Sequence, residues 1–154
     1  MANSGSIAAL QRNRKLSTPE AAAAFDEALQ ELAQAGPLTR ADLRVLFRVF
    51  DDTCDNEEVM FGLVHLLEDS PLEEFLAGVL DVVKDLDATA PGWAKLFHYR
   101  IVNSESARSL YASMVRSAPE ATRATVGRIL RSIVSEEGDP LKGRAQALLD
   151  AASL

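Results

Sequence analysis

Apolar residues recur along most of this chain at intervals of three and four, with polar residues between them. This spacing places apolar side chains on one face of an α-helix, whereas a strand with one buried side would alternate every second residue. The pattern predicts no strand. It predicts about eight helices, over residues 19–35, 40–50, 56–68, 71–86, 92–102, 105–116, 119–135 and 140–152.

Proline and capping residues mark where most of these helices begin. Proline is tolerated in the first turn of a helix, because the N–H that it lacks would have no partner there. Ser17 with Glu20, and Ser70 with Glu73, have the spacing of a capping box. Five prolines lie at predicted starts, in the pairs Thr18-Pro19, Ser70-Pro71, Ala90-Pro91, Ala118-Pro119 and Asp139-Pro140.

The links between the predicted helices are short, so successive helices are expected to pack as antiparallel neighbours. We therefore predict an all-α fold, with the helices arranged as stacked hairpins, in the manner of HEAT repeats, or as a bundle. The 154 residues suffice for one domain with a substantial core. We expect a single all-helical domain over 17–154, after a flexible or short helical segment over 1–16.

Cysteine content and the absence of long apolar runs bear on the compartment. The single cysteine, Cys54, excludes an intramolecular disulfide framework. The sequence has no secretory signal pattern and no apolar run of the roughly 18–20 residues that cross a bilayer. We therefore predict a cytoplasmic protein with no membrane partner.

Charge is distributed unevenly along the chain. The formal net charge is −7, but residues 51–87 alone carry twelve acids against the single base Lys84. Residues 88–134 have the opposite excess, with seven bases against two acids. A strongly acidic surface favours a basic partner and disfavours nucleic acid, so we expect no nucleic acid partner. The alternative is that these acids only keep the outer faces of long helices in solvent.

The stretch DDTCDNEE, residues 51–58, raises the question of a calcium site. A calcium-binding loop of the helix-loop-helix type requires glycine at position 6 and glutamate at position 12. A loop that starts at Asp51 or at Asp52 has neither residue in place, so we predict no metal site. The acids are expected instead to begin the helix over 56–68, with Asp55 or Asn56 as its N-cap.

The acids are also expected to form a surface for a partner. Glu74, Asp81 and Asp85 are spaced by seven and four residues, which places them on one side of the helix over 71–86, opposite its apolar side. If the start of the preceding helix lies beside them, its acids extend the same surface. The predicted partner-binding residues are Asp51, Asp52, Asp55, Glu57, Glu58, Glu68, Asp69, Glu73, Glu74, Asp81 and Asp85.

Catalytic candidates are few. Cys54 has no histidine near it in sequence, and the only histidines, His65 and His98, lie within apolar helices, where a hydrogen-bonded and partly buried ring is usual. The sequence has no glycine-rich phosphate loop and no Ser, His and Asp arrangement for nucleophilic catalysis. We therefore predict no enzymatic activity, no catalytic residue and no cofactor. A hydrolase that uses one histidine with an acid is the weakest alternative.

Two segments carry a family resemblance. EEVMFGLVHLLE, residues 57–68, and PGWAKLFHYRIVNSESAR, residues 91–108, resemble the immunity protein 30 family, found beside toxins of polymorphic and contact-dependent inhibition systems. The resemblance spans about 40–115 and rests mainly on expected core positions, among them Trp93, Phe97 and Ile101, which helical spacing places on one face.

The resemblance implies a protein that functions by binding. Such a protein binds the toxic C-terminal domain of its cognate toxin and neutralises it. Many of these toxins are nucleases, whose basic clefts an acidic surface fits. The energetic anchors of such interfaces are usually a few buried aromatic and arginine side chains rather than acids at the rim. The other interpretation is a helical-repeat scaffold or adaptor that binds a protein or peptide partner.

Overall fold

Helices joined by short links make up the chain, as shown by a computed structural model that describes residues 3–154. Within this range there are nine α-helices and no strand, which confirms the predicted all-α class. All eight predicted helices are present, and the ninth, α1, lies in the segment 1–16. The helices are α1 (Ser4–Arg12), α2 (Pro19–Gln34), α3 (Arg40–Phe47), α4 (Glu57–Glu68), α5 (Leu72–Thr89), α6 (Pro91–Val102), α7 (Glu105–Arg116), α8 (Glu120–Glu136) and α9 (Leu141–Ala151).

Side-chain caps fix several helix starts. The Thr18 hydroxyl accepts a backbone N–H from the first turn of α2 at 3.0 Å. The predicted capping box of Ser17 and Glu20 is therefore wrong, because Thr18 occupies the N-cap position. A capping box that the sequence analysis did not predict begins α3, where Thr39 and Asp42 each accept the backbone N–H of the other. Asp42 has the role usually taken by glutamate, so the pattern was missed.

Two compact units divide the chain, one ending at Gly78 and the other beginning at Val79, within α5. Each unit buries apolar side chains from several helices. The single domain over 17–154 stays a prediction, as does the choice between stacked hairpins and a bundle.

The first unit buries the apolar sides of α1 to α4 and of the beginning of α5. The rings of Phe47 and Phe75 pack with their centroids 5.9 Å apart. A Cβ atom at Gly62 would lie 2.7 Å from Cδ1 of Leu29, so glycine allows α4 to approach α2 closely. The fully buried side chains of this unit include Leu10, Phe25, Leu32, Leu46, Met60 and Leu63.

The second unit comprises the later part of α5 and helices α6 to α9. Trp93, Phe97 and Ile101 of α6 are buried, which confirms the face predicted for them. Helix α9 packs against α8 and also contacts α6 and α7. On another side of α6, Lys95 pairs with Glu136 and the Tyr99 hydroxyl donates to Glu137 at 2.8 Å, so both side chains reach the end of α8.

Candidate functional site

The loop between α3 and α4 carries the first predicted acids and is held by the turn between α1 and α2. The Arg14 guanidinium donates to the carbonyl oxygens of Val49 at 2.9 Å and Phe50 at 2.7 Å. The backbone N–H of Asp55 donates to the carbonyl oxygen of Lys15 at 2.9 Å. These bonds fix the loop backbone against the N-terminal part of the first unit. We call residues 49–56 the anchored loop.

Asp51 lies inside this arrangement, with 7% of its surface exposed. Its Oδ2 atom is 2.8 Å from Nζ of Lys15, and its Oδ1 atom accepts the backbone N–H of Thr53 at 2.8 Å and the Thr53 hydroxyl at 2.7 Å. Burial raises the pKa of Asp51, but the bonds from Lys15 and Thr53 and the charge of Arg14 outweigh it and lower the pKa to about 2. The structure thus places Asp51 in an internal anchor, apart from the exposed acids with which it was predicted to act.

Exposed acids surround the start of α4. Asn56 is its N-cap, because the Asn56 Oδ1 atom accepts the backbone N–H of Val59 at 3.1 Å, and this decides between the two predicted caps. Four predicted acids are exposed around this cap: Asp52, Asp55, Glu57 and Glu58. Glu57 and Glu58 lie in the first turn of α4, where the helix dipole favours negative charge.

A second acidic region follows at the link between α4 and α5. Glu68 ends α4 and is half-buried, while Asp69 in the link is exposed. Glu73 and Glu74 are exposed in the first turn of α5. With the acids around Asn56, these residues make eight exposed or half-buried predicted acids in the first unit.

Asp81 and Asp85 are exposed on the later part of α5, which belongs to the second unit. Their spacing from Glu74 places all three on one side of the helix. A continuous surface that joins them to the acids around Asn56 stays a prediction.

An apolar groove lies beside the link between α4 and α5, within the first unit, and has a volume of about 330 Å³. Its apolar lining comes from the end of α2 with the residues that follow, from the end of α4 and from the link after it: Leu32, Ala33, Pro37, Leu38, Leu66 and Pro71. Gly36, also in the lining, has a φ of 99°, a left-handed conformation that glycine adopts without strain. Asp69 lines the same groove, and Leu72, next to Pro71, has 38% of its surface exposed. The groove has no signature in the sequence, because it depends on how two helix ends meet.

The histidines occupy different environments. His98 is completely buried, and Nδ1 of its ring donates to the Ala94 carbonyl oxygen at 2.7 Å while Nε2 accepts the Tyr111 hydroxyl at 2.7 Å. Burial lowers the pKa of His98 to about 4, against smaller raising effects of the Ala94 bond and the Asp87 charge. His98 therefore joins α6 to α7 as a neutral side chain. The partly buried ring expected for His65 is wrong, because this side chain is exposed on α4.

Two further observations concern reactive groups. Burial raises the pKa of the half-buried Cys54 thiol, with a smaller lowering effect of a backbone hydrogen bond at Asn56, so the less nucleophilic protonated form is favoured. In the part of the chain that the structure describes, no three His, Cys, Asp or Glu side chains are grouped so as to hold a metal ion.

Within residues 3–154, no helix combines the length and apolar composition needed to cross a membrane.

The sequence model of one protein family matches much of the chain. The family is described as immunity protein 30, and the match covers residues 12–111, more than half of the chain. This chain belongs to the immunity protein 30 family. Comparison of this immunity protein with curated proteins and with solved structures gave no match.

The match begins earlier in the chain than the resemblance seen in the sequence, which spans about 40–115. It begins at the end of α1 and reaches Tyr111 in α7, whereas the resemblance began only near residue 40. It therefore includes α2 and the two bases Arg14 and Lys15, together with the anchored loop and both sides of the groove. Immunity proteins generally act by binding a cognate toxin protein.

Proposed function

We propose that this immunity protein binds and neutralises the C-terminal toxin domain of a cognate polymorphic or contact-dependent inhibition toxin. The family match over residues 12–111 is the observation that carries the proposal. Inhibition by binding requires a complementary surface and no chemistry of its own. We propose accordingly that the protein acts in the cytoplasm without enzymatic activity or cofactor.

The charge distribution supports a basic partner. Residues 51–87 carry twelve acids and one base, and several of these acids are exposed at the starts of α4 and α5. A nuclease must attract phosphates, so its cleft is typically basic and an acidic surface competes for it. In the first unit the proposed contact residues are Asp52, Asp55, Glu57, Glu58, Glu68, Asp69, Glu73 and Glu74. In the second unit Asp81 and Asp85 are proposed for the same role.

Coexpression tests this function directly. The toxin domain encoded next to this gene is expressed from an inducible promoter, with and without the immunity protein, and growth is followed. We expect growth to be restored only when the immunity protein is present, and the two proteins to copurify as a complex. A toxin domain from an unrelated locus is the control and should remain toxic. Continued toxicity of the neighbouring domain at high immunity protein levels, with no complex, would refute the proposal.

The acidic contact is tested by association kinetics. Electrostatic attraction between complementary surfaces raises the association rate and is screened by salt. We therefore expect the association rate of the complex to fall steeply between low and physiological ionic strength. A rate that is independent of salt would remove the acidic surface from the proposal while leaving neutralisation itself intact.

A further inference from the structure

The groove has the composition of an interface centre. Protein interfaces gain most of their affinity from a few desolvated apolar or aromatic contacts, and charged residues surround these contacts at the rim. The groove is lined by side chains such as Pro37, Leu38 and Leu66, and exposed Leu72 lies next to its wall residue Pro71. The exposed acids alone supply no such apolar centre.

The lining of the groove favours an apolar side chain over a polar metabolite. A volume of about 330 Å³ is close to the lower end of the roughly 300–1,000 Å³ typical of small-molecule sites. The described lining offers few polar groups, chiefly Asp69 and Ser70, to orient a polar ligand. The groove is therefore suited to one large apolar side chain that projects from a protein surface.

The charges along the chain segments that line the groove favour a basic neighbourhood around that side chain. Residues 32–38 carry no charged side chain, and residues 66–74 carry four acids and no base. Asp69 is in the groove lining, and Glu73 and Glu74 follow within the first turn of α5. Arg40, two residues beyond Leu38, is the nearest base along the chain on the α2 side.

We propose that the groove receives an apolar side chain of the toxin domain, flanked there by lysine or arginine residues that face Asp69 and the acids at the start of α5. This rests on the proposed function and adds to it an anchor that the acidic surface lacks. Apolar insertion determines how long the complex lasts, and the acids determine how fast it forms.

The substitution Ala33→Glu separates this proposal from attraction by charge alone. Ala33 is exposed and lines the groove, so a glutamate there fills the groove and also adds an acid. Attraction by charge alone predicts equal or tighter toxin binding. Occupation of the groove predicts an affinity at least about tenfold lower, mainly through faster dissociation. Ala23→Glu is the matched control, exposed on the same helix about 15 Å away along its axis at 1.5 Å per residue.

Binding of the neighbouring toxin domain is measured by surface plasmon resonance for the wild type and each variant, with thermal unfolding as the folding check. If Ala33→Glu lowers the melting temperature more than the control does, Leu38→Ala, at a half-buried lining residue, provides the second test, with faster dissociation expected. Asp69→Lys should slow association and weaken its salt dependence. If the wild type binds the toxin domain and the groove variants dissociate from it at the wild-type rate, the proposed role of the groove is overturned while the proposed function stands. Failure of the wild type to bind would overturn the proposed function and the groove together.

Discussion

The Asp51 anchor makes a quantitative prediction about stability. The pKa of Asp51 falls from 3.8 to about 2 in the folded protein. One pKa unit corresponds to about 1.4 kcal/mol, so the ionised carboxylate contributes about 2.5 kcal/mol to the free energy of unfolding at neutral pH. Asp51→Asn keeps an oxygen that can accept from Thr53 but removes the charge that pairs with Lys15. We expect the variant to lose most of that contribution.

Urea unfolding followed by circular dichroism measures the loss. With an m-value of about 2 kcal/mol per molar urea, the midpoint should fall by about 1 M at pH 7. Asp52→Asn is the matched control, because it removes the same charge from an exposed neighbouring position. We expect its midpoint to move far less.

The pH dependence of the stability difference between the wild type and Asp51→Asn tests whether the lowered pKa of Asp51 causes that difference. A lowered carboxyl pKa stabilises the fold above the unfolded value of 3.8, and the contribution is lost as the pH falls from 3.8 towards 2. The difference between wild type and Asp51→Asn should therefore be constant from pH 7 to pH 5 and shrink below pH 4. An Asp51→Asn variant as stable as Asp52→Asn at pH 7 would refute the anchor.

Three further predictions concern the buried histidine and the exposed acids. Tyr111→Phe removes the hydroxyl that donates to Nε2 of buried His98, and the free energy of unfolding, measured by heat or urea, should fall by about 1–3 kcal/mol. A variant as stable as the wild type would show that this bond does not contribute to stability. Because the pKa of His98 is lowered from 6.5 to about 4 in the folded protein, the unfolded protein binds more protons between these pH values. The free energy of unfolding should therefore decrease by up to about 3 kcal/mol as the pH falls from 6.5 to 4. The same decrease in a His98→Gln variant would show that His98 is not its cause. Replacing Asp55, Glu57 and Glu58 by their amides should lower the association rate with the toxin domain at low salt and leave dissociation nearly unchanged. Its control neutralises three exposed acids of α2, Glu20, Asp26 and Glu27, and an equal effect of both sets would argue against a local contact.

Local signals explain why so much of the fold could be predicted. Apolar spacing of three and four, with proline at helix starts, predicted eight helices close to their observed bounds. Two helix ends differ by three residues, since α5 continues to Thr89 rather than ending near residue 86, and α3 ends at Phe47 rather than near residue 50. Val49 and Phe50 are buried and continue the apolar spacing, but the Arg14 guanidinium binds their carbonyl oxygens in the anchored loop. A contact between segments more than thirty residues apart thus ends the helix, and periodicity does not report such a contact.

The candidate site was predicted less completely for the same reason. Exposure of acids such as Glu57 and Glu74 follows from helical spacing, since the apolar face takes the core. Asp51 belongs to the same acidic run but is buried by contacts with Lys15 and Thr53. Two consecutive bases at Arg14 and Lys15 and an Asp-x-Thr turn were the available signals, but sequence alone did not show that they meet. The groove depends on the approach of two helix ends and left no pattern in the sequence.

Different residues hold the backbone of the anchored loop and face solvent at the start of α4, which follows it. Arg14, Lys15 and Asp51 bind backbone or one another, whereas the Glu57 and Glu58 side chains project from the first turn of α4. Under the proposed function, substitutions at those exposed positions would change the charge presented to a toxin while the internal bonds stay in place. Immunity specificity could then diverge at the start of α4 by single substitutions, without a compensating change in the core.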